Sequence, residues 1–190
     1  MSNPGTAKIN IKQNVRYSLK DKNGNVKALF VENGLWRLVH KIFGVMLPQI
    51  NFLFGRWIKG SKLISNLVTS AGAAGVASRI NGSGAEAAFT YIAVGTGTGA
   101  AAAGDTTLGT ELAASGLSRV SATASRVTTD VTNDTAQLAT TFTVSGTAAV
   151  TESGVLNAAS NGVLLARQVF SAINVVSGDS LTITWKFDVD

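Results

Sequence analysis

The chain has 190 residues, of which 45% are hydrophobic and 14% charged; this is enough apolar material for one folded domain with a core, and it excludes a disordered chain. It contains no cysteine, which excludes disulfides and thiolate metal sites. The polar first thirteen residues and the interrupted apolar stretch at 42–54 predict neither a signal peptide nor a membrane span, so we expect a soluble protein made in a reducing cytoplasm.

The first predicted element is a β-hairpin. Apolar and polar residues alternate through 8–12, and the period of two continues through 15–19. The Asp-Lys-Asn-Gly sequence at 21–24 is typical of a turn, and residues 26–31 resume the strand pattern. We therefore predict two neighbouring strands joined by this turn.

Two helices are predicted next. Residues 66–80 are small and compatible with a helix whose small face would let another backbone approach closely, although Gly72 and Gly75 disfavour a helix. The segment 49–62 shows no clear period. The other predicted helix comes before this segment, over residues 35–43, and ends before Pro48. Its apolar residues are spaced as one helical face: Leu35, Leu38, Val39, Ile42 and Phe43.

From residue 87 onward the pattern is that of strands and turns. Asn161-Gly162 is a strong hairpin turn signal between two apolar segments. The last strand alternates most regularly, with Leu181, Ile183, Trp185, Phe187 and Val189 on one face and Thr182, Thr184, Lys186 and Asp188 on the other. The other predicted strands are 89–94, 117–127, 138–144, 155–158 and 163–170.

These strands predict a mainly β fold, an antiparallel β-sandwich or jelly-roll-like domain over residues 81–190. Residues 1–80 are predicted to be a small α/β docking segment, consisting of the hairpin and short helices. The charges support this division. Residues 1–80 carry twelve Lys or Arg and two acids, a net +10, whereas residues 81–190 carry four against nine, a net −5.

The sequence lacks the residue patterns of a catalytic or cofactor-binding site. His40 is the single histidine, so neither a histidine-containing triad of the usual kind nor a multi-histidine metal site is expected within one chain. The segment 99–106 imitates the spacing of a phosphate-binding loop, but Asp105 stands where the lysine belongs. We predict a flexible loop there, or one that is ordered by a neighbouring subunit. No enzyme activity, cofactor or metal is predicted.

The acidic residues are predicted to have structural roles. Asp130 and Asp134 flank a turn, where aspartate hydrogen-bonds the backbone. The sequence Thr-Glu-Ser-Gly at 151–154 is interpreted as a turn whose acid pairs with a strand arginine. Cross-strand ion pairs are expected between Glu111 or Glu152 and one of Arg119, Arg126 and Arg167.

A basic, aromatic segment within 35–62 is the candidate partner-binding site. Tryptophan and arginine dominate the energetics of protein–protein contacts, so we favour a protein partner. Nucleic acid is the less favoured partner, because stacking aromatics beside basic residues are present only loosely. No membrane partner is predicted. The candidate residues are Trp36, Arg37, Phe54, Arg56, Trp57 and Lys59.

Several motifs between residues 66 and 190 occur in an order that resembles a group of tailed-bacteriophage virion proteins, described as tail-fibre or virion structural proteins. They are 66–72 (NLVTSAG), 89–97 (FTYIAVGTG), 104–111 (GDTTLGTE), 151–158 (TESGVLNA), 164–171 (LLARQVFS) and 178–185 (GDSLTITW). Residues 1–65 match less distinctly.

The resemblance implies a non-enzymatic structural protein, present in multiple copies on the virion and made in the host bacterial cytoplasm. Its expected partners are other virion proteins and copies of itself, at the tail, the neck or as a head decoration. The alternative is a receptor- or glycan-binding module of a tail fibre, which would bind host cells in isolation. A fold of this kind serves many functions, so the role depends on the assembly context.

Overall fold

The computed structural model describes residues 11–32, 55–65, 67–84 and 86–189. These residues form two five-stranded antiparallel sheets that pack against each other, with one helix. The predicted mainly β fold and the antiparallel β-sandwich are confirmed.

Five strands form the first sheet. Its order is β4-β1-β12-β9-β8. The strands are β1 (Ile11–Lys20), β4 (Ser61–Ser65), β8 (Thr123–Val127), β9 (Thr135–Thr143) and β12 (Ser180–Val189).

The second sheet faces the first across the core, and its order is β5-β11-β10-β6-β7. A separate pair is formed by β2 (Ala28–Glu32) and β3 (Gly55–Lys59), and the helix α1 spans Ser70–Asn81. The strands of the second sheet are β5 (Leu67–Val68), β6 (Tyr91–Gly95), β7 (Val120–Ser121), β10 (Ala148–Leu156) and β11 (Leu164–Val175).

Each lateral edge of the sandwich is made by one stretch of chain that passes from one sheet to the other. At one edge β4 is followed within two residues by β5, and at the other β7 is followed by β8. The predicted strand 117–127 is therefore two short strands in different sheets, separated by the buried Ala122.

The last strand confirms the predicted core face. Leu181, Ile183 and Trp185 are fully buried and Phe187 is nearly so, whereas Val189 is 48% exposed. On the opposite face Asp188 departs from the expected exposure: it is buried and accepts a hydrogen bond from the Thr135 hydroxyl at 2.9 Å. The alternation fails at Val189 and Asp188, which lie at the strand's end.

The predicted N-terminal hairpin is wrong in its pairing, although both strands exist. β1 pairs along all ten of its residues with β12, and its other side pairs with β4. β2 itself pairs with β3. The two residues before it meet the end of β1, through the Lys20–Val26 bridge and a 2.9 Å hydrogen bond from the Lys27 N–H to the Leu19 carbonyl. A turn signal predicts a reversal of the chain but not which strand becomes the neighbour.

Three described strands of residues 1–80, β1, β4 and β5, lie in the same sheets as later strands. Val15, Tyr17 and Leu19 of β1 are buried in the same hydrophobic cluster as Trp185. The predicted division of function, between a docking segment at 1–80 and a domain at 81–190, stays a prediction. The predicted helix over 35–43 lies outside the described residues.

The helix α1 packs closely against the second sheet. Its N-cap Thr69 is buried, accepts a hydrogen bond from the Gly72 N–H at 2.9 Å and donates its hydroxyl to the Leu164 carbonyl. Gly72 faces the backbone of Leu165 in β11, and Gly75 faces the ring of Phe89. Glycine therefore serves a packing role here, and the backbone that approaches the small face belongs to the same chain.

We expect Gly72→Ala to lower the free energy of unfolding by up to about 2 kcal/mol, because overpacking usually costs about 1–3 kcal/mol and alanine regains about 1 kcal/mol through its helix propensity. An added Cβ would lie 2.6 Å from the Leu165 Cα, a backbone atom that cannot move away by a change of rotamer. Urea unfolding measures the change, and Gly75→Ala is the control, because the Phe89 ring that it meets can move. A more stable Gly72→Ala variant would contradict the close approach.

Candidate functional site

The most elaborate polar cluster surrounds Glu152 in β10. Its side chain is fully buried. The two carboxylate oxygens accept hydrogen bonds from the backbone N–H groups of Gly97, Gly109 and Thr110, at 2.7 to 2.9 Å. These donors belong to the loop between β6 and β7, so one buried carboxylate holds both arms of that loop.

Arg167 of β11 completes the cluster. Its Nε donates to Glu152 at 2.8 Å and its Nη1 to Asp105 at 2.9 Å, while Nη2 donates to the Gly99 carbonyl at 3.1 Å. The arginine side chain is 5% exposed and the Asp105 side chain 23%. The pairing of Glu152 with Arg167 confirms the predicted ion pair, although the Thr-Glu-Ser-Gly sequence lies within β10 and is not the predicted turn.

The protonation equilibria of the cluster all favour its charged forms. Burial raises the pKa of Glu152, but the hydrogen bonds from the loop N–H groups and from Arg167 lower it further than that, and the net pKa lies below the ordinary value. Burial likewise lowers the pKa of Arg167, and its two carboxylate partners raise it to a net increase. The pKa of Asp105 is lowered by the Ala102 N–H and by Arg167.

The loop between β6 and β7 covers the outer face of the second sheet. Beneath it a small second core contains Ala93, Leu108, Leu156 and Leu164. The expectation of a flexible loop, or of one ordered by a neighbouring subunit, is corrected: the loop is ordered against its own sheet. At the position where a phosphate-binding loop has its lysine, the Asp105 carboxylate accepts hydrogen bonds from Arg167 and from the Ala102 N–H.

A second ion pair secures the end of the same loop. Arg119 donates to both carboxylate oxygens of Glu111, at 2.9 and 2.6 Å, and its Nη1 donates to the carbonyls of Ala158 and Asn161. This confirms the predicted role of Glu111. In both clusters, hydrogen-bond donors of the protein itself occupy the carboxylate oxygens. Each carboxylate therefore acts as a clamp that holds the β6–β7 loop in place.

The predicted partner-binding residues are only partly described. Trp36, Arg37 and Phe54 lie outside the described residues, as does His40. The structure places the backbone of Arg56 and Trp57 in β3, opposite Val31 and Phe30 of β2. Lys59 ends β3, opposite Ala28, with an exposed side chain. Three of the six residues thus share one strand, and their role in binding stays a prediction.

The strand β8 is the exposed feature most suited to binding another chain. Among the described residues it is the outermost strand of the first sheet, and β9 alone pairs with it there. Residues Thr123 to Arg126 are exposed, and Arg126 is the only charged residue of the strand. An edge strand with few charges leaves backbone donors and acceptors for a further strand.

Within the described residues there is no group of three or more His, Cys, Asp and Glu arranged to hold a metal ion. A helix long and apolar enough to cross a membrane is also absent from that part of the chain. Comparison of the chain with protein-family models, with curated proteins and with solved structures finds no match.

Proposed function

We propose that the chain is a non-enzymatic structural protein of a tailed-bacteriophage particle, present in multiple copies that associate with one another and with other virion proteins. The observation that carries the proposal is the open edge of the sandwich at β8, where four consecutive residues are exposed. Edge strands of this kind are stable in solution when they are covered, and a neighbouring copy is a natural cover.

Three further features support the proposal. The ordered motifs between residues 66 and 190 resemble virion structural proteins. The charge split of +10 against −5 favours association between unlike surfaces of adjacent chains. The buried carboxylate and arginine at Glu152 and Arg167 are occupied by the fold itself, which suits a structural role.

The edge is tested with the double variant T123K/S125K. Both residues are exposed and lie on the face of β8 opposite Ala124. We expect self-association, measured by sedimentation velocity, to weaken by about tenfold or more, because lysines on an edge strand oppose strand pairing. The matched control is T141K/T143K, which places the same charges at the same spacing on β9, away from the edge; it should associate like the wild type.

Presence on the particle is tested by quantitative mass spectrometry of purified particles of the phage that encodes the chain. The expected result is several copies per particle. A chain that is absent from the particles, or a purified protein that stays monomeric at high concentration, would contradict the proposal. Binding of the isolated protein to host cells or to their glycans would instead favour a receptor-binding fibre module.

A further inference from the structure

An apolar cavity of about 300 Å³ opens between α1 and the first sheet. Its lining includes Val76 of α1, Phe89, Leu138 and Phe187. The volume is about twice that of an engineered cavity, about 150 Å³, that takes up a benzene molecule. The cavity, which we name the socket, is therefore large enough for an amino-acid side chain.

The socket reaches the surface of the molecule. Ala136 lies two residues before the buried Leu138 of β9 and so faces the same side of the sheet, and Ala124 of β8 lies opposite Leu138. Both alanines line the socket, yet both are exposed, as is Val189 at 48%. Apolar residues on the inward face of two strands are thus left in contact with solvent.

The rim of the socket is basic. Arg79 of α1 lines it, and Arg126 of β8 stands directly opposite Ala136. The Arg79 guanidinium donates to the Glu86 backbone carbonyl, while the Glu86 carboxylate accepts from Ser78 instead. Among the described residues, no carboxylate forms an ion pair with either arginine. An occupant that fits this rim carries a negative charge beside an apolar group.

The turn between β8 and β9 has that chemistry. Val131 at its tip is 69% exposed, and the neighbouring Asp130 side chain has no hydrogen-bond or ion-pair partner among the described residues. The turn is held firmly, because the Asp134 carboxylate accepts from the N–H groups of Thr129, Asp130 and Val131. We name residues 129–132 the knob.

We propose that the knob of one copy of the chain enters the socket of a second copy, with Val131 among the apolar side chains and Asp130 beside the rim arginines. This rests on the proposed self-association and names its contact. The knob follows β8 directly, and β8 and β9 also contribute Ala124 and Ala136 to the socket. Because knob and socket adjoin on one surface, a two-fold axis lets two copies exchange knobs reciprocally and close a dimer.

The charge contact is tested by reversal and rescue. D130R and R79D should each weaken dimerisation in sedimentation equilibrium by about tenfold or more, because each opposes like charges across the contact. The combined variant R79D/D130R should restore association towards the wild-type value. R16E, a charge reversal at an exposed position of β1, is the control and should have no effect. Single variants that associate normally, or a double variant without rescue, would overturn the contact.

The apolar contact is tested by disulfide trapping, which the absence of native cysteine makes clean. V131C/A88C joins the knob tip to an exposed residue of the socket lining. Under oxidation it should give a covalent dimer on a non-reducing gel, whereas V176C/A88C should not, although Val176 is 47% exposed. If T123K/S125K disrupts association but V131C/A88C gives no covalent dimer, the contact between knob and socket is overturned and the proposed function stands. Absence of any association would defeat both.

Discussion

Glu152→Ala is expected to lower the free energy of unfolding by about 3–5 kcal/mol, the range found when one partner of a buried ion pair is removed. The substitution leaves the Arg167 guanidinium, at 5% side-chain exposure, without its fully buried partner. It also removes the acceptor of three backbone N–H groups in the covering loop. Chemical unfolding followed by circular dichroism measures the change.

Two comparisons isolate the cause. Asp105→Asn, at the more exposed end of the cluster, should lower the free energy of unfolding by about 1 kcal/mol, since the arginine keeps its ion pair with Glu152.

The pH dependence of stability is the second comparison. The pKa of Glu152 is lower in the folded protein, so its contribution to stability is present above the unfolded value near pH 4.3 and is lost as the pH falls through the folded value. Wild-type stability should therefore decline more steeply in acid than that of Glu152→Gln. Parallel pH profiles for the wild type and Glu152→Gln, or an unchanged free energy of unfolding for Glu152→Ala, would contradict the role of Glu152 in holding the loop.

The sequence predicted the parts of the fold that depend on local alternation. In β12 the period of two identified the buried face from Leu181 to Phe187, because one side of that strand meets the core and the other meets solvent. In β10 this signal is absent. Residues Val150 to Leu156 are all buried, since the sandwich core covers one face of the strand and the β6–β7 loop covers the other.

The roles of the charged residues were predictable only in part. Opposite charges on strands suggested that Glu152 pairs with one of three arginines, and the structure shows that its partner is Arg167. The three N–H donors of Glu152 lie 42 to 55 residues away and carry no side-chain signal, so a sequence pattern could not identify them. The turn before Asp134 was predictable, whereas the exposure of Val131 depends on where that turn projects.

Trp185→Ala is expected to cost about 3–5 kcal/mol, the usual range for emptying a buried aromatic site. Trp185 is fully buried in the centre of β12 and stacks on Phe187 with ring centroids 5.9 Å apart. Its indole N–H donates to the Ser153 hydroxyl at 3.2 Å, so the side chain also bonds the two sheets together. At about 2–4 °C per kcal/mol for a chain of this size, the melting temperature should fall by roughly 6–20 °C.

The adjacent residue supplies the control for this substitution. Lys186 lies on the opposite face of β12 and is half-buried, so Lys186→Ala should change the free energy of unfolding by less than about 0.5 kcal/mol. Trp185→Phe separates the two contributions of the indole, since it keeps aromatic volume but removes the donor to Ser153. That hydroxyl still donates to the Ala93 carbonyl, so the variant should lose less than Trp185→Ala. Equal melting temperatures for Trp185→Ala and Lys186→Ala would mean that the two faces of β12 are reversed and that the core lies elsewhere.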